Sequence, residues 1–100
     1  MSFAEFQQSI ARDPAPPADA PGALQALWQD ARGDWERAHT SAQEDGGRDG
    51  AWVHAYLHRK EGDLGNAGYW YARARRPQPA ANVALADEWA EIARALLGEK

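Results

Sequence analysis

The strongest constraint on the fold is a Gly-Asp pair that occurs twice, at Gly33-Asp34 and Gly62-Asp63, each time between two stretches with helical spacing of apolar residues. Glycine readily adopts the left-handed conformation that ends many helices, and an aspartate after it can cap the next helix. Each pair therefore predicts a tight turn between two antiparallel helices. The residues around the two pairs also align: Trp28 with Leu57, Trp35 with Leu64 and Ala38 with Ala67. The sequence thus predicts two related helical hairpins.

The composition favours helices throughout the chain. Hydrophobic residues make up 44% of the 100 residues, much of this share is alanine, and few residues are β-branched. Alanine is the best helix former, and a scarcity of β-branched residues disfavours a sheet. The chain has no cysteine, which excludes disulfides, thiol nucleophiles and cysteine metal sites. Any chemistry must therefore use histidine, carboxylates or hydroxyl groups.

The two ends of the chain each predict one further helix. Ser2 and Glu5 have the spacing of a capping box, and Phe3, Phe6 and Ile10 form an apolar stripe that can dock on the rest of the domain. A proline-rich linker follows over residues 13–17. At the other end, a stripe of large apolar residues predicts a closing helix over the second hairpin, with Asn82 as its cap. Its members are Leu85, Trp89, Ile92 and Leu96.

We therefore predict a single all-α domain of about five helices over residues 1–100. It would consist of an N-terminal docking helix and linker (1–20), two helical hairpins (21–76) and a closing helix (80–98). Asp49 is the candidate cap of the helix that leads to Glu61, because the residues before it are rich in turn formers.

The second hairpin resembles the tetratricopeptide and Sel1-like helical repeats. The resemblance rests on the spacing of Gly62, Asp63, Ala67, Tyr71, Ala74 and Pro79. It implies a helical-repeat fold and a protein or peptide partner. The first hairpin matches this pattern over a shorter stretch, and His54 and His58 stand where the family usually has apolar residues, so the family's peptide-groove residues cannot be transferred.

A second resemblance covers roughly residues 24–76. Residues 51–63, together with Asn66 and the aromatic run 69–71, are similar to a family of small uncharacterised bacterial and fungal proteins. This resemblance implies a single fold and no particular activity.

A polar seam on the helix before the second Gly-Asp turn is the main candidate for chemistry. His54, His58 and Glu61 share one stripe, and antiparallel packing can bring His39 toward it. Two histidines one turn apart can both bind zinc, and a third ligand would leave an open position for hydrolase-like chemistry. Alternatively, these four residues line a pocket for a small anion, or they are hydrogen-bonded core residues that fix the helix register.

The helix after the second Gly-Asp turn carries another polar stripe, formed by Asn66, Tyr69 and Arg73. Asparagine and tyrosine supply hydrogen bonds, and arginine suits a carboxylate or phosphate, as in the recognition of an acidic peptide. The alternative is a solvated helix face. We predict that the protein is a non-enzymatic interaction module that uses this face to bind an unknown protein or peptide, or a second copy of itself as a homodimer.

The charge and hydropathy of the chain disfavour nucleic acid and membranes as partners. A net charge of −4 disfavours non-specific binding to nucleic acid. The N-terminus lacks the pattern of a secretion signal, and no stretch approaches the roughly 20 apolar residues that span a bilayer. We therefore expect a cytoplasmic protein with no nucleic-acid or membrane partner and no cofactor.

Overall fold

The computed structural model describes residues 1–99 and contains, within that range, six α-helices and no strand. The predicted all-α fold of about five helices is confirmed. The helices are α1 (Phe3–Arg12), α2 (Gly22–Ala31), α3 (Trp35–Glu44), α4 (Arg48–Glu61), α5 (Leu64–Ala74) and α6 (Leu85–Leu96).

Both Gly-Asp pairs make the predicted turns. Gly33 and Gly62 have φ values of +83° and +88°, in the left-handed region that favours glycine. The side chain of Asp34 accepts a hydrogen bond from the backbone N–H of Arg37 at 3.1 Å, which caps α3. Asp63 accepts in the same way from Asn66 at 3.2 Å, which caps α5. The turns therefore join α2 to α3 and α4 to α5 as two hairpins.

The predicted caps of α4 and α6 are wrong. Gly47 is the N-cap of α4, so that Asp49 lies inside its first turn. Gly50 also lies in this first turn, and it packs so closely against the preceding loop that a Cβ there would lie 2.2 Å from the carbonyl oxygen of Asp45. Ala84 is the N-cap of α6. Asn82 instead lies in a turn closed by a hydrogen bond from Val83 N–H to the carbonyl of Ala80 at 3.0 Å.

The two hairpins stack through α3 and α4, and the terminal helices pack across them. Helix α6 contacts both α4 and α2, so it spans both hairpins and not the second alone. The indole N–H of Trp89 donates to the carbonyl of Leu27 at 3.0 Å, and its ring lies 6.0 Å from the rings of Phe3 and Phe6. The predicted capping box of α1 is present, with Ser2 and Glu5 as its members. The contacts of Phe3 and Phe6 with Trp89 dock the apolar stripe of α1 on α6.

Over residues 1–99, none of the helices is long and apolar enough to cross a membrane.

Candidate metal centre

The three histidines of the chain meet between α3 and α4. His54 and His58 lie one turn apart on α4, and His39 approaches them from α3. The ring centroids of His39 and His54 are 4.5 Å apart, and those of His54 and His58 are 4.8 Å apart. One ring nitrogen from each histidine lies within 4.8 Å of the other two. The structure therefore brings together all three histidines that the sequence analysis singled out.

Hydrogen bonds orient all three rings. Nε2 of His54 lies 2.9 Å from Nε2 of His39, so one ring donates a hydrogen bond to the other. Nδ1 of His58 lies 2.6 Å from Oε1 of Glu61, which leaves Nε2 of His58 as the nitrogen that a ligand would use. Among residues 1–99, Nδ1 of His54 is buried and has no hydrogen-bond partner. The hydrogen-bonding capacity of the cluster is thus not satisfied by these neighbours alone.

Two tryptophans, Trp35 and Trp70, stack on the cluster, and neither was predicted to lie there. Trp35 stacks on His39 with centroids 5.0 Å apart, and Trp70 stacks on His54 at 4.0 Å. The indole N–H of Trp35 donates to the carbonyl of Leu57 at 3.0 Å, which fixes that ring against α4. The proximity of Trp35 to His39 could have been predicted, because Trp35 lies one helical turn before His39 in the sequence. The tryptophans give the histidines an environment of low polarity.

This environment favours the neutral form of two imidazoles, those of His39 and His54. His54 is only 3% exposed, and burial, reinforced by the neighbouring His39 and His58, lowers its pKa to about 4. His39 is half-buried, and burial followed by the proximity of His58 lowers its pKa as well. Both rings are therefore uncharged near neutral pH. A neutral imidazole has a free lone pair, which is the form that binds a metal ion.

The donor set fits zinc better than a hard cation. Three imidazoles suit zinc and its neighbours in the first transition series, whereas magnesium and calcium prefer oxygen ligands. Tetrahedral zinc with Zn–N distances near 2.0–2.1 Å requires nitrogens about 3.3 Å apart. The 2.9 Å separation of the His39 and His54 nitrogens needs only a small opening of the two rings. Glu61 would act as the carboxylate that orients a metal-bound histidine.

A second group of possible ligands consists of His58, Glu61 and Asp63, whose ligand atoms also lie within 4.8 Å of one another. Asp63 is already committed to capping α5, since it accepts hydrogen bonds from both the side chain and the backbone of Asn66. These bonds lower the pKa of the Asp63 carboxyl group. We therefore place the centre at the three histidines.

The other predicted stripe, Asn66, Tyr69 and Arg73, lies exposed on α5. Asn66 is turned toward Asp63, to which its side-chain amide donates at 2.7 Å. Arg73 donates to the hydroxyl of Tyr69 at 3.2 Å, and its guanidinium lies 5.4 Å from the ring centre of Trp70. Tyr69 and Arg73 thus form one surface unit, whereas Asn66 belongs to the helix cap.

Comparison with protein-family models, characterised proteins and solved structures gave no match to this chain. The tetratricopeptide-like resemblance therefore stays a prediction.

Proposed function

We propose that the protein binds a divalent transition metal, with zinc as the best fit, through His39, His54 and His58. The observation that carries this proposal is the convergence of three ring nitrogens from two helices within 4.8 Å. Glu61 supports the centre by holding His58 in one orientation. Of the two functions predicted from the sequence, we thus favour the histidine-lined site over the non-enzymatic interaction module.

The chemistry of such a centre follows from its ligand count. Three protein ligands leave one position on zinc for water or another small ligand, which is the arrangement found in catalytic zinc sites. His39 is half-buried, so the centre is accessible from the α3 side. Zinc lowers the pKa of bound water toward neutrality, and this property would permit hydrolase-like chemistry.

The competing interpretation is that the histidines are ordinary hydrogen-bonded core residues. Such residues normally have partners for their buried polar atoms, and a buried polar atom without one costs about 1–3 kcal/mol. Nδ1 of His54 is such an atom among residues 1–99. Hydrogen bonding within the core therefore leaves part of the cluster unexplained, whereas a shared metal ion accounts for the convergence of the three ring nitrogens.

Removal of one ligand should abolish zinc binding while the fold is retained. The best variant is His39→Phe, because His39 is half-buried and phenylalanine preserves the stacking on Trp35. Glu61→Gln should weaken zinc binding by about 10–100-fold, as expected for a residue that supports a ligand, and His39→Phe should weaken it further. Isothermal titration calorimetry with zinc on metal-free protein measures both effects.

Glu91→Gln on the exposed face of α6 is the matched control and should leave zinc affinity unchanged. Circular dichroism establishes that each variant is folded. If the wild-type protein binds no zinc, or if folded His39→Phe binds it as tightly as the wild type, the proposal is wrong.

A second candidate function is recognition of an acidic peptide by the exposed face of α5. It is favoured by Tyr69, which is 54% exposed although aromatic, and which Arg73 holds in place. An acidic peptide would place its carboxylates on Arg73 and pack against the tyrosine ring. We expect Arg73→Gln to weaken binding of a glutamate-rich peptide in a fluorescence titration, whereas Arg37→Gln on α3 should not. Equal binding by both variants would exclude this face.

A further inference from the structure

A separate cavity of about 580 Å³ lies between α1, α2, α4 and α6. Its walls are mainly apolar and include Phe3, Ile10, Leu85 and Trp89. Ligand pockets typically have volumes of about 300–1,000 Å³ and combine apolar walls with a few polar groups. None of the histidines of the candidate metal centre lines this cavity. The cavity is therefore a candidate binding site distinct from the candidate metal centre.

Three polar residues that line the cavity, Asp30, Tyr56 and Lys60, form one connected unit. Asp30 accepts a hydrogen bond from Nζ of Lys60 at 2.8 Å and another from the hydroxyl of Tyr56 at 3.2 Å. Both carboxylate oxygens of Asp30 are therefore occupied. Burial, followed by the nearby charge of Asp30, raises the pKa of Tyr56. Tyr56 thus stays a neutral hydrogen-bond donor to Asp30 over the physiological range.

The more exposed charge of this ion pair is that of Lys60. The side chain of Lys60 is 39% exposed, whereas that of Asp30 is 2% exposed. A lysine ammonium group has three N–H donors, and the contact with Asp30 uses one of them. The remaining donors are available at the edge of an otherwise apolar cavity. This arrangement is complementary to an anionic head group attached to an apolar body.

We propose that this cavity binds a small monocarboxylic acid with an apolar chain or ring. The carboxylate accepts hydrogen bonds from Lys60, and the apolar body lies against Trp89 and Leu85. A cationic head group would be repelled by the ammonium of Lys60, and a neutral one would lose the charge-assisted hydrogen bond. The proposed site is independent of metal binding, because it shares no residue with the three-histidine cluster.

Three eight-carbon probes separate the contributions of head group and chain: octanoate, octan-1-ol and octylamine. Because Trp89 lines the cavity, its fluorescence should change in a saturable way with octanoate. Loss of one hydrogen bond to a charged group weakens affinity by about tenfold or more. We therefore expect octan-1-ol and octylamine to bind at least about tenfold more weakly than octanoate. An absence of saturable octanoate binding, or equal binding of octylamine, would overturn the proposal.

Matched variants locate the binding to this cavity. Ala86→Leu fills the cavity from an exposed position of α6 and should abolish octanoate binding, whereas Ala95→Leu is equally exposed on α6 outside the cavity and should not. Lys60→Arg should retain binding and Lys60→Met should lose it, with folding monitored by circular dichroism. Octanoate binding that survives Ala86→Leu, or that is unchanged in folded Lys60→Met, contradicts the assignment.

Discussion

Replacement of Glu88 by alanine is expected to lower the free energy of unfolding by about 3–5 kcal/mol, because it breaks a buried ion pair by removing one partner. Oε1 of Glu88 accepts a hydrogen bond from the guanidinium of Arg59 at 2.8 Å, and Oε2 accepts one from the hydroxyl of Tyr71. Glu88 is 3% exposed. The variant would leave the charge of Arg59 buried without its carboxylate. Urea unfolding followed by tryptophan fluorescence measures the loss.

The size of this effect reflects the position of Glu88 between three helices. Its carboxylate lies on α6, Arg59 on α4 and Tyr71 on α5, so one side chain connects all three. Arg59 also donates to the carbonyl of Val83, just before α6. Burial and the hydrogen bond to Glu88 raise the pKa of Tyr71, which keeps this hydroxyl a donor. The same substitution therefore weakens several contacts at once.

Two further variants test the cause of the loss. Glu91→Ala, on the exposed face of α6, should change stability by no more than about 0.5 kcal/mol. The double variant Glu88→Ala, Arg59→Met should be more stable than Glu88→Ala alone, since it removes the charge left without a partner. A loss below about 1 kcal/mol for Glu88→Ala would show that the pair is solvated, in disagreement with its burial.

The two hairpins and the histidine cluster could be predicted because both depend mainly on residues that are close together in the sequence. A glycine that must adopt positive φ and an aspartate cap identify a turn from adjacent residues, as at Gly62-Asp63. His54 and His58 share a helix face through their spacing alone. Antiparallel packing of the preceding helix was then enough to indicate His39 as the third member.

The charged core contacts could not be predicted in the same way. Arginine, lysine, aspartate and glutamate are seldom buried unless they are paired, so sequence gives no reason to place Arg59 or Asp30 inside. The partner of Arg59 depends on how α6 crosses the hairpins, and the partners of Asp30 depend on how α2 packs against α4. No local pattern specifies either arrangement. The prediction that α6 covers the second hairpin did not specify the angle or register of its packing, so the pairing of Glu88 with Arg59 was not foreseen. The stacking of Trp35 and Trp70 on the histidines was not predicted. The spacing of apolar residues indicates that a side chain is buried, but it does not identify the residue against which that side chain packs.

Acid should destabilise the protein below neutral pH, and His54 should be a main cause. An unperturbed histidine has a pKa of about 6.5, whereas that of folded His54 is lowered to about 4. The unfolded chain therefore binds a proton in this window that the folded chain excludes, and stability falls as the pH decreases from about 6.5 to 4. The total contribution is about 3 kcal/mol, of which about 2 kcal/mol is lost by pH 5. Urea unfolding at pH 7 and pH 5 measures it.

His54→Phe tests this cause, since phenylalanine retains an aromatic ring against Trp70 but cannot take up a proton. Whatever its absolute stability, this variant should lose less stability than the wild type between pH 7 and pH 5; an equal loss would show that His54 is not responsible. Zinc competes with protons for the same nitrogens, so saturating zinc should stabilise the wild type and move its acid transition to lower pH. His39→Phe should show no such shift, because a missing ligand removes zinc binding while His54 remains titratable.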